Sequence, residues 1–403
     1  MVCPTSVADN WCAEAARFAP GLEVRLHRGA DRRAGLEGLG PGHVLVTSYD
    51  ILVRDAEALT EIAFATAVFD EAQVLKNPET QRRKVARQLA AGFSLALSGT
   101  PLENHLGELW SIFDVLVPGL LGPWKRFRDR FAAPIERQGD KDRLAALRSL
   151  LAPFLLRRTK REVAPELPER TEVVRAIELS SAEQALYEAE RRRALTELAG
   201  GDDPKKRFAI LAALTRLRRM ACHPALVDGG SSVRSSKLDE LMRLAYDLVR
   251  EQHRALVFSQ FTTHLALVRT ALEDAGHEVL YLDGATPGAE RTSLVRRFQE
   301  GDMPFFLISL KAGGTGLNLT AADTVIHLDP WWNPAVEDQA SDRTHRIGQT
   351  KPVTVIRLVA QGTIEESVLE LHGEKRELAR GILEGAENNA RLDTQELMAL
   401  LGS

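Results

Sequence analysis

Short apolar runs that end in polar or glycine-rich loops recur in two sets along the chain, separated by stretches whose apolar positions follow helical spacing. The first set is HVLVTSYD (His43 to Asp50), TAVFDEA (Thr66 to Ala72) and SLALSGT (Ser94 to Thr100). The second is ALVFSQF (Ala255 to Phe261), EVLYLDG (Glu278 to Gly284), FFLISLKAGG (Phe305 to Gly314), TVIHLD (Thr324 to Asp329) and VTVIRLV (Val353 to Val359). Strand-like runs alternating with helical stretches predict parallel α/β units, and two sets predict two lobes. Polar residues cluster after most runs, at the carboxyl end of each expected strand, which is the edge where open α/β sheets bind ligands. Between the sets, from Gly107 to Ser235, helical spacing dominates, as in LGELWSIFDVL and LRSLLAPFLL. Gly229, Gly230, Ser231 and Ser232 form a joint before a new helix near Lys237.

At 403 residues the chain suits two domains with insertions. An apolar share of 44% with 27% charged residues is that of a soluble globular protein, and no apolar run approaches the roughly 18 residues of a membrane helix. The start, MVCPTSVADNW, lacks a basic stretch followed by an apolar core, so no secretory signal is read and a cytoplasmic protein is expected. Cys3, Cys12 and Cys222 are spaced as neither a disulfide framework nor a C-x-x-C metal site, and Cys222 beside His223 has no second ligand pair.

The formal net charge of −4 does not argue for nucleic acid, but local charge changes the picture. Lys205 to Arg219, KKRFAILAALTRLRR, holds six basic and no acidic residues. It reads either as a phosphate-facing surface or as a solvated helix face over a buried stripe of Ile210, Leu211, Leu214 and Leu217. Asp70 and Glu71 close an apolar run. There one carboxylate suits Mg²⁺ held through water and a second suits polarising the attacking water in phosphoryl transfer, although acids also complement a helix N-terminus. Arg343 and Arg346, three apart, would share one face of a helix, as two guanidinium groups need to reach one phosphate tail or a surface ion-pair network. Gly313, Gly314 and Gly316 around Thr315 permit close backbone approach to a phosphate. No G-x-x-x-x-G-K-[ST] occurs in the 403 residues.

Together these strings resemble the Swi/Snf family of helicase superfamily two. The resemblance runs in family order through VCPTSVADNW, VTSYDIL, DEAQ, LSGTPLEN, LVFSQF, SLKAGGTGLNLT and QASDRTHRIGQ, with the connectors LGELWSIFDVLVPGLLG, PFLLRRTKREVAPELPER, MACHPALV and DPWWNPAVEDQA between them. It implies an α/β fold of two RecA-like parallel-sheet lobes with helical insertions. Lobe one would span 1–168 with a helical insertion at about 107–150, a linker and helical protrusion 169–235, lobe two 236–385, and a tail 386–403. The implied activity is DNA-dependent ATP hydrolysis driving translocation along double-stranded DNA, with ATP and Mg²⁺ as cofactors. HRIGQ and the helical insertions argue against an RNA helicase of the same superfamily.

By that resemblance Asp70 holds Mg²⁺ through water, Glu71 activates the attacking water, and Gln73 joins them near the γ-phosphate. Ser98 and Thr100 couple the nucleotide to lobe closure, Arg343 and Arg346 are arginine fingers with Gln339 nearby, and Gly314 and Gly316 line the cleft. Thr5, Ser48 and Tyr49 of lobe one, with Gln260, Lys311 and Thr315 of lobe two, face the DNA backbone in a sequence-tolerant way. Trp331 and Trp332 are packing anchors. A DNA-bound protein is a further implied substrate, no membrane is implied, and the compact insertions point to a bacterial, nucleoid-associated member. Family members carry a P-loop strand upstream of CPTS, so the resemblance is to an N-terminally truncated member with lobe one incomplete. A gap in its sheet and very slow or no ATP hydrolysis by this polypeptide alone are expected; a DNA-binding or regulatory module without turnover is the alternative.

Overall fold

The computed structural model describes residues 1–99, 105–198, 206–313 and 317–372. The expectations for Thr100, Gly314, Thr315, Gly316 and Lys205, and for the tail 386–403, lie outside them. The described chain divides into two compact units, Met1–Leu155 and Leu156 onward, where lobe one was expected to run to 168.

The first unit is built on five parallel strands: β1 (Val2–Cys3), β2 (Glu23–His27), β3 (His43–Ser48), β4 (Phe64–Asp70) and β5 (Ala91–Leu97), in the order β2-β3-β1-β4-β5. The expected gap is not there. β1 has only two residues but occupies the centre, with Val2 opposite Thr47 on β3 and Phe69 on β4, so every neighbouring pair is hydrogen-bonded. Val2, Leu45, Ala67 and Phe69 pack on one face, and Cys3, Val7, Ala8 and Val46 on the other. On the outermost strand β5 apolar surface is left in solvent, with Phe93 60% exposed. Beyond it, the helices from Leu106–Leu116 to Lys141–Leu151 enclose their own core of Leu106, Trp110, Phe127 and Leu147, as the helical insertion predicts.

Six parallel strands form the second sheet: β6 (Arg170–Ile177), β7 (Ala255–Ser259), β8 (Val279–Leu282), β9 (Phe305–Ser309), β10 (Thr324–His327) and β11 (Val353–Ala360), ordered β6-β11-β10-β7-β9-β8. Every residue of β7, β9 and β10 is buried, which is why these strands read as continuous apolar runs: helices cover both faces. Leu256 and Phe258 enter one face and Ala255 and Val257 the other. Each buried Leu, Val or Phe contributes about 1.5–3 kcal/mol.

The segment 169–235, expected as linker and protrusion, opens with β6, which pairs along its whole length with β11. β6 lies at the sheet edge with Val174 56% exposed, so its sequence, RTEVVRAI, has no apolar alternation to betray it. The helices Ser181–Leu198 and Lys206–Cys222 then pack together. The buried stripe of the second is Ile210, Ala213, Leu214 and Leu217, not the expected set, because Leu211 is turned out and 42% exposed.

Candidate active site

At the carboxyl end of β4, Asp70 and Glu71 stand side by side with their geometry fixed by lobe-one neighbours. Trp11 Nε1 donates to Asp70 Oδ2 at 2.8 Å, and the Glu71 amide donates to Asp70 Oδ1 at 2.9 Å. Glu71 itself has φ 49° and ψ 51°, a left-handed conformation that costs a non-glycine residue of order 1–3 kcal/mol and persists only where surroundings over-determine it. Here Gln73 Nε2 donates to Glu71 Oε2 at 2.7 Å, and Ser98 Oγ, just past β5, donates to Gln73 Oε1 at 2.8 Å. A hydrogen-bonded line thus joins the acidic turn after β4 to the loop after β5, bringing together four of the residues singled out in the sequence. Trp11 was not singled out, although it closes the VCPTSVADNW string; an indole facing a carboxylate has no signature in spacing.

Ser48 and Tyr49 are placed differently from the expectation that they face DNA. Both are buried. Ser48 Oγ accepts from the Ile51 amide and so caps the helix Tyr49–Arg54, while Tyr49 Oη donates to the Asp70 carbonyl at 2.7 Å. Burial, and then the Asp70 charge, push the phenol pKa up. In this conformation both hydroxyls are committed within lobe one, Ser48 to the helix start and Tyr49 to the acidic turn. Thr5 is exposed.

In the second unit the helix Pro334–Ser341 begins with Asn333 Oδ1 accepting from the Ala335 amide and proline at its first position. Gln339 lies on it. It stops at Ser341, so Arg343 and Arg346 sit in the following turns and do not share a helix face as the spacing predicted. The reason is the irregular backbone ahead. Thr344 Oγ1 donates to Ser341 O, Gly348 has φ 101°, and Gln349 Nε2 lies 3.1, 2.8 and 3.1 Å from the carbonyls of Thr320, Ala322 and Thr344, holding the loop closed from inside. Arg343 is only 1% exposed, its carbonyl accepting from the Leu319 amide. Arg346 is half-buried, its Nε donating to the Asp342 carbonyl at 3.1 Å. Lys311 is exposed.

In the helix Lys206–Cys222, Arg216 and Arg218 are both engaged by other protein groups. Arg216 pairs with Glu190 at 2.6 Å and Glu197 at 2.9 Å. Arg218 is buried with its guanidinium 5.5 and 5.1 Å from the rings of Trp331 and Trp332, and donates to Gln260 Oε1 at 3.0 Å and to the Pro330 carbonyl. Burial lowers its pKa. The tryptophans are therefore packing anchors around an arginine, and for Arg216 and Arg218 the solvated or phosphate-facing reading is corrected. Gln260 is engaged from inside the lobe as well.

Near the same edge, donor atoms of Cys222, His264 and Asp329 lie within 4.8 Å of one another, all buried. These are partners that the adjacent Cys222 and His223 lacked in sequence. The cluster, however, already contains the Lys237 ammonium, which donates to Glu365 at 2.7 Å and to the Leu328 carbonyl at 3.0 Å. Asp329 in turn accepts from Ser259 Oγ and the Gln260 amide. A divalent cation would have to displace or repel that ammonium, so the donor set suits a charge-balanced core better than a metal. Burial pushes the Cys222 thiol up, and the Cys3 thiol up to about 12, so both stay protonated.

Residues 1–226 match the family model of the SNF2-related domain, and residues 236–348 that of the helicase conserved C-terminal domain. The chain is 40% identical over 99% of its length to a putative ATP-dependent helicase/translocase of Bacillus subtilis, covering 45% of that protein. It is 37% identical over 95% of its length to the chromodomain-helicase-DNA-binding protein 1-like of Danio rerio, covering 39% of it. The solved SWI2/SNF2 ATPase core domain of Sulfolobus solfataricus matches over 99% of this chain and 83% of that one, at 34% identity and a TM-score of 0.50. The chain spans less than half the length of these curated relatives. Among the described residues no helix is long and apolar enough to cross a membrane.

Proposed function

The chain belongs to the SNF2-related family, and from that premise we propose that it is the motor region of an ATP-dependent translocase that moves along double-stranded DNA. The observation that carries the reading is the line from Asp70 and Glu71 through Gln73 to Ser98. Two carboxylates held by Trp11 and Gln73, on a turn whose Asp70 carbonyl accepts from Tyr49, stand at the carboxyl edge of a parallel sheet and are preorganised for phosphoryl transfer, which depends on positioning and charge.

The donor set fits Mg²⁺ with ATP: hard carboxylate oxygens in half-exposed positions suit a cation that keeps much of its water shell. When bound, the cation neutralises charge on the phosphates. Asp70 would hold it through water, while Glu71, oriented by Gln73, would accept the proton of the attacking water. Ser98 would report the occupied state to the loop after β5 through the same Gln73. Arg343 and Arg346 would balance negative charge on the nucleotide, with Gln339 beside them. Lys311 and Thr5, both exposed, are the described residues best suited to meet DNA phosphates in a sequence-tolerant way. This reading places the protein at the nucleoid of a bacterial cell, with a DNA-bound protein as a further substrate.

The test is ATP hydrolysis by the protein with and without duplex DNA. With an upstream P-loop strand of the kind family members carry joined to the chain, duplex DNA is expected to stimulate turnover and Glu71→Gln to remove it, by at least about 10²-fold for the loss of a general base, whereas this polypeptide alone is expected to turn over very slowly or not at all. Turnover indifferent to both would refute the proposal. Salt-sensitive DNA binding with no affinity for ATP would favour a binding module instead.

A further inference from the structure

The loop that carries the arginines is tied to a distant stretch of chain. Lys160 Nζ lies 2.8 Å from Asp342 Oδ1 and donates to the His345 carbonyl at 2.9 Å. Arg170 Nη1 donates to the same Asp342 oxygen at 2.9 Å, and its Nη2 lies 3.6 Å from Asp338 Oδ1. His345 Nε2 donates to the Pro168 carbonyl at 2.8 Å. Asp342 thus receives two cations from the segment 160–170, which opens the second unit shortly after the boundary at Leu155. It adjoins Arg343 and its carbonyl receives Arg346 Nε.

The ties of Lys160 to Asp342 and His345, and of His345 to Pro168, lie before β6 begins at Arg170 and after the helix Pro334–Ser341 has ended; only the Arg170–Asp338 contact joins that strand to that helix. Their common effect is on the turn 342–346, which has no regular backbone pattern to hold it and which carries both arginines, Arg343 buried and Arg346 half-buried. Asp342 keeps its side chain 32% exposed and Lys160 39%, so the pair is open to solvent and reversible, unlike the buried pair of Lys237 with Glu365. Burial lowers the Lys160 pKa, with Asp342 opposing it.

We propose that Lys160 and Arg170 are positioning residues for the arginine turn: by clamping Asp342 they hold Arg343 and Arg346 in a single conformation and make it responsive to the segment 156–170. The proposal rests on the reading of those arginines as nucleotide residues. It implies that tension or displacement in the connecting segment alters arginine placement without touching the acidic turn of lobe one.

Two readouts on the full chain test it, one needing no nucleotide. Hydrogen exchange at the amides of Arg343, Thr344 and Gln349, which bond the carbonyls of Ala340, Ser341 and Arg346, is expected to rise about fivefold in Lys160→Met, the factor for losing a partly exposed ion pair worth up to about 1 kcal/mol. It should return to the wild-type rate in Lys160→Arg, while β7 amides stay unchanged in all variants. Unaltered exchange in Lys160→Met overturns the proposal. In DNA-stimulated ATP hydrolysis Lys160→Met should lower kcat about tenfold at unchanged KM, with rescue by Lys160→Arg. Faster exchange with unaltered kcat would make the clamp merely structural and equally overturn it. Absence of hydrolysis even with a P-loop strand joined upstream would sink the nucleotide reading, and the exchange result, which needs no nucleotide, separates that failure from failure of the clamp.

Discussion

Replacing Lys237 by Met would leave the Glu365 carboxylate of lobe two without its counter-ion. The ammonium is enclosed: its Nζ lies 2.5 and 2.7 Å from the two Glu365 oxygens and 3.0 Å from the Leu328 carbonyl. Burial alone would lower its pKa, and Glu365 more than offsets this, so Lys237 sits above its ordinary value and the pair is ionised. Glu365 also accepts from the Ala360 amide at 2.9 Å. Breaking such a pair from one side costs about 3–5 kcal/mol. The carboxylate can escape only by binding a proton, which at pH 7 and from an ordinary value of 4.5 costs about 3.4 kcal/mol at ~1.36 kcal/mol per pH unit. Lys237→Met is therefore expected to lose about 3–4 kcal/mol, a large part of the ~5–15 kcal/mol of a domain. With an m-value of about 1–3 kcal/mol/M, the urea midpoint of lobe two should fall by roughly 1 to 4 M at pH 7. In the variant the folded state binds a proton that the unfolded state lacks above pH 4.5, so stability should recover by about 1.4 kcal/mol per unit as pH falls towards 4.5. Adding Glu365→Gln, whose amide oxygen can still accept from Ala360, should restore most of the loss. A double variant as unstable as the sum of the singles, or a loss independent of pH, would refute the ionised-pair reasoning.

Two further outcomes follow from the same lobe. His264 is buried with its pKa lowered to about 3, first by burial and then by the charges of Lys237 and His223, so the folded state stays neutral while the unfolded histidine protonates below its ordinary 6.5. Stability should therefore be lost as pH falls from 6.5 towards 3, by about 2 kcal/mol between pH 7 and 5. Urea midpoints of His264→Met should show a slope shallower than the wild type by one proton, and parallel slopes would count against it. Arg218→Gln removes contacts to Trp331, Trp332 and the Pro330 carbonyl and is expected to cost about 2–4 kcal/mol in urea unfolding. The salt dependence of DNA binding should be unmoved; a log-log slope shallower by about 0.9 would place Arg218 on a phosphate.

Much of the site was legible because its chemistry is written in contiguous strings: DEAQ holds Asp70, Glu71 and Gln73, and SLALSGT holds Ser98. What was illegible are contacts across the sheet and across the chain. Trp11 reaches Asp70 over 59 residues, Lys160 reaches His345 over 185, and Arg218 reaches Pro330 over 112. Ser48 and Tyr49 were read as outward-facing because a polar residue after a strand has two uses, ligand contact and helix capping, and spacing does not choose between them. The exposure of Leu211 in place of Ala213 has the same origin: helical periodicity gives a face, and only the neighbouring helix decides how wide that face is.

The order of strands and helices, the parallel pattern and the two-lobe division were determined by the sequence itself, since burial on both faces demands continuous apolar runs and a parallel connection demands a helix between them. The edge strands β2 and β6 and the two-residue centre β1 were decided only by tertiary structure. An edge strand need not be apolar, and a two-residue strand is too short to show a period; pairing with a neighbour defines both. The same holds for the arginine turn. The residues stand in the sequence, but their conformation depends on Gln349 from inside and Lys160 and Arg170 from outside, partners brought together by the fold and not by spacing.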